Sequence, residues 1–132
     1  MKTNEDQLDL DRYQLEEDIR QYKFVSQAEI SVPGMDDKEE WHATDNAFDV
    51  MGFSDREKDD IYKLCAAIMH FGNSTFKQKP RDEQAEVDNM DGPTKASRLF
   101  GVDPDLFTLA LTRPKIKVGA EWVQKGQNVQ QV

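Results

Sequence analysis

Ser54-Asp55-Arg56-Glu57, followed by Lys58-Asp59-Asp60-Ile61-Tyr62-Lys63-Leu64-Cys65-Ala66-Ala67-Ile68-Met69-His70-Phe71-Gly72-Asn73, is the stretch that sets the fold class. Serine at a helix cap with glutamate three residues on is a capping box, in which each side chain satisfies a backbone N–H that the first helical turn leaves open. Phe53 precedes the cap, but Lys58 takes the fourth helical position, so no hydrophobic staple completes it. Ile61, Leu64, Cys65 and Ile68 recur at the three- and four-residue spacing of one helical face and are expected to form its buried stripe. Phe71-Gly72-Asn73 is expected to end the helix.

Working outward, Asp36 and Asp37 are cap candidates for a preceding helix carrying Trp41, Thr44, Ala47, Phe48 and Met51, with Gly52 at its end. Upstream, Phe24 to Val32 has extended character before the turn signal Pro33-Gly34. Residues 5–20 are acidic, with Leu8, Leu15 and Ile19 on one face, and read as a weak amphipathic helix or a frayed arm. Downstream, Thr75-Phe76 suits a short strand, and residues 77–92 read as a long polar loop. Two short helices are expected next. One opens at Asp91-Gly92-Pro93 and closes at Gly101; the other is capped by Asp103, has Pro104 in its first turn, and is stopped by Pro114. Leu106, Phe107, Ala110 and Leu111 are the expected buried face of the second. Beyond it, Ile116 and Val118 alternate with Lys115 and Lys117, and Gly119-Ala120 precedes Trp122-Val123, a β-hairpin with basic residues on one face. The pattern breaks off at Val132, as a fragment would.

The chain has 132 residues, 37% of them apolar and 33% charged, a length for one domain with a thin core. Its net charge of −9 argues against a simple nucleic-acid binder, because phosphate rewards clustered Lys and Arg. No apolar run reaches membrane-spanning length and the first residues are no signal peptide, so a cytoplasmic protein without membrane partners is expected. The single cysteine, Cys65, excludes an internal disulfide. Charge is uneven: residues 1–112 carry net −12, whereas residues 113–132 carry net +3 from Arg113, Lys115, Lys117 and Lys125 against Glu121. That polarity reads either as an ordinary solvated surface or as a contact patch for an acidic partner.

No catalytic constellation emerges. There is neither a G-x-x-x-x-G-K-[ST] nor a G-x-G-x-x-G phosphate cradle. His42, His70 and Cys65 lack zinc-ligand spacing, and His70 reads as a packed side chain. Glu86, Asp88 and Asp91 fall short of a calcium loop because Met90 breaks the alternation and no late glutamate follows. Cys65, placed on the expected buried face, reads as packing rather than as a nucleophile.

Two runs carry a resemblance. Phe76-Lys77-Gln78-Lys79-Pro80-Arg81-Asp82-Glu83-Gln84-Ala85-Glu86 resembles the F-K-Q-[KR]-x-R-[ED]-E-Q-A-E run of muscle myosin heavy chains. Arg113 to Val129 is similar to the same family's P-[RK]-[VI]-K-V-G-x-E-x-V-x-[KQ]-G-x-x-V segment. Ala47 to Phe53, Ile61 to Leu64 and Met69 to Gly72 match in order and spacing. The resemblance covers about residues 20–132, leaving 1–19 as a divergent acidic N-terminal arm.

The resemblance implies a mainly α fold with short β-hairpins, part of the upper fifty-kilodalton subdomain of a class II myosin motor, itself a P-loop NTPase-type machine. It implies that 77–92 corresponds to the family's loop 4 and 113–125 to its cardiomyopathy loop, and that Asn128 to Val132 begin a long helix. The implied partners are filamentous actin, tropomyosin and the remainder of the motor, within the thick filament of the muscle myofibril. The implied actin-binding residues are Arg113, Lys115, Lys117, Lys125, Lys77, Lys79, Arg81, Glu83 and Glu86. The family places a charged residue, usually arginine, where Lys115 stands, and the two differ in hydrogen-bonding geometry. ATP and magnesium belong to the parent motor. This chain lacks the phosphate loop and both switches, so no cofactor and no hydrolysis of its own are expected. The alternative is an independent myosin-derived binding module or antigen without motor activity.

Overall fold

The computed structural model describes residues 10–132; the part of the expected arm before residue 10, including Leu8, lies outside them. From Asp37 onward four α-helices follow one another: α1 (Asp37–Val50), α2 (Asp55–Gly72), α3 (Asp91–Phe100) and α4 (Pro104–Thr112). Between α2 and α3 runs an antiparallel hairpin of β1 (Thr75–Gln78) and β2 (Ala85–Asn89). After α4 comes a second, β3 (Lys115–Val118) with β4 (Glu121–Gln124). The mainly helical class with two short hairpins is the expected one.

Helix ends follow the local chemistry. Asp36 accepts from the amides of Lys38 and Glu39, and Asp103 from those of Asp105 and Leu106. Ser54 and Glu57 close the reciprocal box, the Ser54 amide donating to Glu57 Oε2 at 2.9 Å. Gly101 ends α3 at φ 71°, a left-handed conformation open to glycine at little cost. Asn128 repeats the box: its Oδ1 accepts from the Gln130 and Gln131 amides, and its own amide donates to Gln131 Oε1.

The core corrects the expected stripe. Leu64 is 50% exposed, Ile68 46%, and Cys65 is exposed as well. The buried residues of α2 are Lys58, Asp59, Ala66, Ala67 and His70. At 3.6 residues per turn, Ile61, Leu64 and Ile68 lie across the helix from Asp59, Ala66 and His70. The reason is close approach. Ala66 and Ala67 face the buried Gly92, Pro93, Ala96 and Ser97 of α3, a seam of small residues that lets two backbones meet. A Cβ on Gly92 would stand 2.9 Å from the His70 carbonyl oxygen.

The expected face of α4 is corrected likewise. Leu106 is 66% exposed and Ala110 exposed, while Thr108 and Thr112 are buried. Their hydroxyls donate to the carbonyls of Pro104 and Thr108, four residues back, which makes threonine burial cheap. Phe107 does pack, with its ring centroid 5.8 Å from that of Phe71 and 5.9 Å from that of Phe100.

Three further expectations change. Residues 24–28 form turns and a bend rather than a strand, because amides there bond locally, Ser26 N–H to the Tyr22 carbonyl at 2.8 Å among them, and residues 29–32 join no strand. The polar stretch 77–92 is largely hairpin and helix start, since Phe76 opposes Val87 and Lys77 opposes Glu86 across the strands. The amphipathic reading of 5–20 breaks at Gln14, whose φ is +55°. What anchors that segment is Tyr13. Its hydroxyl donates to Asp59 Oδ1 at 3.0 Å, and its carbonyl lies 3.0 Å from Nε2 of His70. His70, only 3% exposed, is a packed side chain as expected, with Tyr22 edge-on to its ring.

Candidate functional site

The basic hairpin grows from the root of α4. Pro114 has no N–H to donate, which ends the helix, and alternation then places Lys115 and Lys117 on one face with Ile116 and Val118 on the other. Gly119, at φ 62°, fills the first position of the two-residue turn, where a positive φ matches strand twist. All eight strand residues are exposed, and the Trp122 side chain, opposite Lys117, is 66% exposed. Among the described residues, Arg113, Lys115, Lys117 and Lys125 make no ion pair.

The β1–β2 hairpin is different. Lys77 Nζ lies 3.3 Å from Asp88 and 3.8 Å from Glu86, so its charge is balanced across the strands. Lys79, Arg81 and Glu83 sit exposed in the connection, with Arg81 in a left-handed conformation at φ 63°. Lys77, Lys79, Arg81 and Glu83 line an open groove of about 890 Å³ whose other wall is Asn128 to Gln130. Of the nine candidate residues, then, five sit around the first hairpin and four on or beside the second.

The body holds its charges in pairs. Lys58, buried on α2, reaches Asp49 at 2.7 Å and Asp45 at 3.1 Å on α1. Hydrogen bonding to Asp49 lifts its ammonium above the usual lysine range against the opposing effect of burial, with Asp45 adding to the lift. Tyr62 donates to Asp45 at 2.7 Å; burial first, and then that bond, push the phenol up to about 12. The Tyr62 bond, aided by Lys58, holds the Asp45 carboxyl low. Asp59 gathers Lys63 at 2.6 Å, Arg12 at 2.8 Å and the Tyr13 hydroxyl. Burial pushes that carboxyl up, but these partners outweigh it and the net shift is down.

Local reading missed Gln84, because a glutamine in a polar run reads as solvated. It is 9% exposed, and its side-chain amide donates to the carbonyls of Ala85 (2.9 Å), Thr112 (3.0 Å) and Gln127 (3.2 Å). These carbonyls belong to β2, the end of α4 and the exit of the second hairpin.

The described residues contain no group of three or more His, Cys, Asp or Glu placed to hold a metal ion, and the sequence has no phosphate-loop run. Nor is any helix among the described residues long and apolar enough to cross a membrane.

Comparison with known proteins decides the family. The model of the family "Myosin head (motor domain)" matches residues 1–132. The chain belongs to the myosin motor-domain family. It is 52% identical over 122 residues to Myosin-1 of Caenorhabditis elegans, and 50% identical over 121 residues to Myosin-3 of that species and of Caenorhabditis briggsae. Each alignment takes in 92% of this chain but 6% of the relative, so the chain corresponds to a small part of those proteins. The myosin resemblance read from residues 76–86 and 113–129 is thereby borne out.

Proposed function

We propose that this myosin motor-domain segment supplies part of the actin-filament-binding surface of an ATP-driven muscle motor. The observation that carries the proposal is the second hairpin: four cations without an ion pair among the described residues, on a projection whose strands are solvent-exposed and which also presents Trp122. An acidic filament surface complements that charge. Single exposed pairs contribute only about 0–1 kcal/mol, so Arg113, Lys115, Lys117 and Lys125 act by summation and steering, with the aromatic side chain adding apolar contact.

In this reading, residues 113–125 are the cardiomyopathy-loop counterpart and residues 77–92 the loop 4 counterpart. Lys79, Arg81 and Glu83 present both signs of charge to actin or to tropomyosin. Lys77 and Glu86, already opposed, shape the first hairpin more than they bind. ATP and magnesium are held elsewhere in the motor, and this segment hydrolyses no nucleotide by itself. Its working place is the thick filament of the myofibril, and the remainder of the motor is its second partner, packing on the exposed Leu64, Ile68 and Leu106.

Cosedimentation with filamentous actin tests this. A complete motor domain carrying the segment is expected to pellet in a salt-sensitive manner, and to pellet less with Lys115→Glu. Pelleting indifferent to that reversal at every salt concentration overturns the proposal.

A further inference from the structure

The direction in which the basic hairpin projects is not set along its strands, which are exposed throughout. It is set at the roots. The chain leaves the body through Thr112, Arg113 and Pro114 and returns through Lys125, Gly126 and Gln127. The Lys125 amide donates to the Pro114 carbonyl at 2.9 Å and the Gln127 amide to the Thr112 carbonyl at 3.0 Å. The Ala85 amide of β2 donates to the Gln127 carbonyl at 2.7 Å, tying the first hairpin to the second.

Gln84 sits at this crossing. Its backbone closes the first hairpin, its carbonyl accepting from Lys79 at 2.9 Å and its amide donating to Asp82 Oδ1 at 3.2 Å. Its side-chain NH2 brings two protons to three carbonyls from three segments. An oxygen in that position would face three carbonyl oxygens, so the site calls for a donor. Gly126 completes the fit. Its φ is not positive, so backbone conformation does not require glycine there; a Cβ would instead meet Oε1 of Gln84 and push that side chain from its seat.

We propose that Gln84, seated against Gly126, is a positioning residue that locks both roots of the basic hairpin to the first hairpin and so fixes the angle at which Lys115 and Lys117 meet the filament. The proposal rests on the filament-binding reading above. In a complete motor domain carrying the segment, Gln84→Ala is expected to weaken filament affinity about fivefold, the effect of one lost buried hydrogen bond. Gln84→Glu weakens it further, because a carboxylate replaces the donor. Hydrogen exchange is expected to quicken at the Lys125 and Gln127 amides while the α2 amides keep their rates, which separates positioning from general loss of stability. Gly126→Ala weakens affinity alone but adds little to Gln84→Ala, since the clash needs the glutamine.

Three outcomes overturn the proposal. The first is unchanged affinity in both Gln84 variants while Lys115→Glu weakens binding; the filament reading then survives. The second is exchange quickened equally across α2, or full additivity of Gln84→Ala and Gly126→Ala. The third is indifference to Lys115→Glu, which removes the filament reading and this role with it.

Discussion

The helical body and the basic hairpin treat charge in opposite ways. In the body, Lys58 sits between Asp45 and Asp49, Asp59 between Arg12 and Lys63, and Lys95 beside Asp91 at 3.1 Å. In the hairpin, Lys115, Lys117 and Lys125 have no such neighbour among the described residues. Buried or half-buried charges need partners because desolvation penalises an unpaired ion. A projection surrounded by water has no such requirement, so its charges stay available to a partner. The difference teaches where each kind of substitution should be felt: body substitutions are expected to act on folding and, on the filament-binding proposal, hairpin substitutions on association.

The largest expected effect tests the body. Gly92→Leu forces a side chain against the His70 carbonyl and is expected to destabilise the fold by about 3 kcal/mol, read by urea unfolding. Wild-type stability would show that the α2–α3 seam is not the core. Next comes the hairpin. Reversing Lys115 and Lys117 together to Glu is expected to weaken filament binding about tenfold at low salt, and less as salt screens the attraction, with the urea midpoint unmoved. A shifted midpoint would mean that the hairpin charges serve folding.

The third test is pH. Asp45 and Asp59 have lowered carboxyl pKa values, so their stabilisation is present above the ordinary carboxylate range and is lost as pH falls through and below about 4. Lys58 is raised, so its contribution is complete below the ordinary lysine value and is lost only at higher, strongly alkaline pH. Tyr62, raised to about 12, is stabilising while protonated and loses that contribution between about 10 and 12. The unfolding midpoint plotted against pH is therefore expected to form a plateau between these limits. A decline centred near neutrality would contradict the pairing described.

Tyr13→Phe removes one buried hydrogen bond to Asp59 and is expected to cost about 1 kcal/mol, leaving Arg12 and Lys63 in place. The smallest effect is reserved for Lys77→Gln. Its charge is already balanced by Asp88 and Glu86, so filament affinity is expected to change less than about twofold. A loss matching that of Lys115→Glu would erase the distinction between the two hairpins.

Local sequence chemistry was a sound guide wherever neighbours in the chain act on one another. The box of Ser54 and Glu57, the caps Asp36 and Asp103, the stops at Gly101 and Pro114, and the alternation of residues 115–118 all work within a few residues of backbone. The family, too, was legible, because residues 76–86 and 113–129 carry it in their order. Which side of each helix is buried was not. Large apolar residues mark Leu64, Ile68 and Leu106, yet the seam between α2 and α3 runs through alanine, glycine and serine, whose small volume permits backbone approach and leaves a faint signal in any periodicity.

Gln84 shows the same division. Its three acceptors stand 1, 28 and 43 residues away along the chain, and no pattern in residues 77–92 announces them. Order along the chain settles helix ends, strand alternation and ancestry, since those forces act over one or two turns of backbone. Packing in three dimensions alone settles which charges are neutralised, which small residues meet, and which way the cationic hairpin points, since those outcomes depend on groups that only folding brings within hydrogen-bond reach.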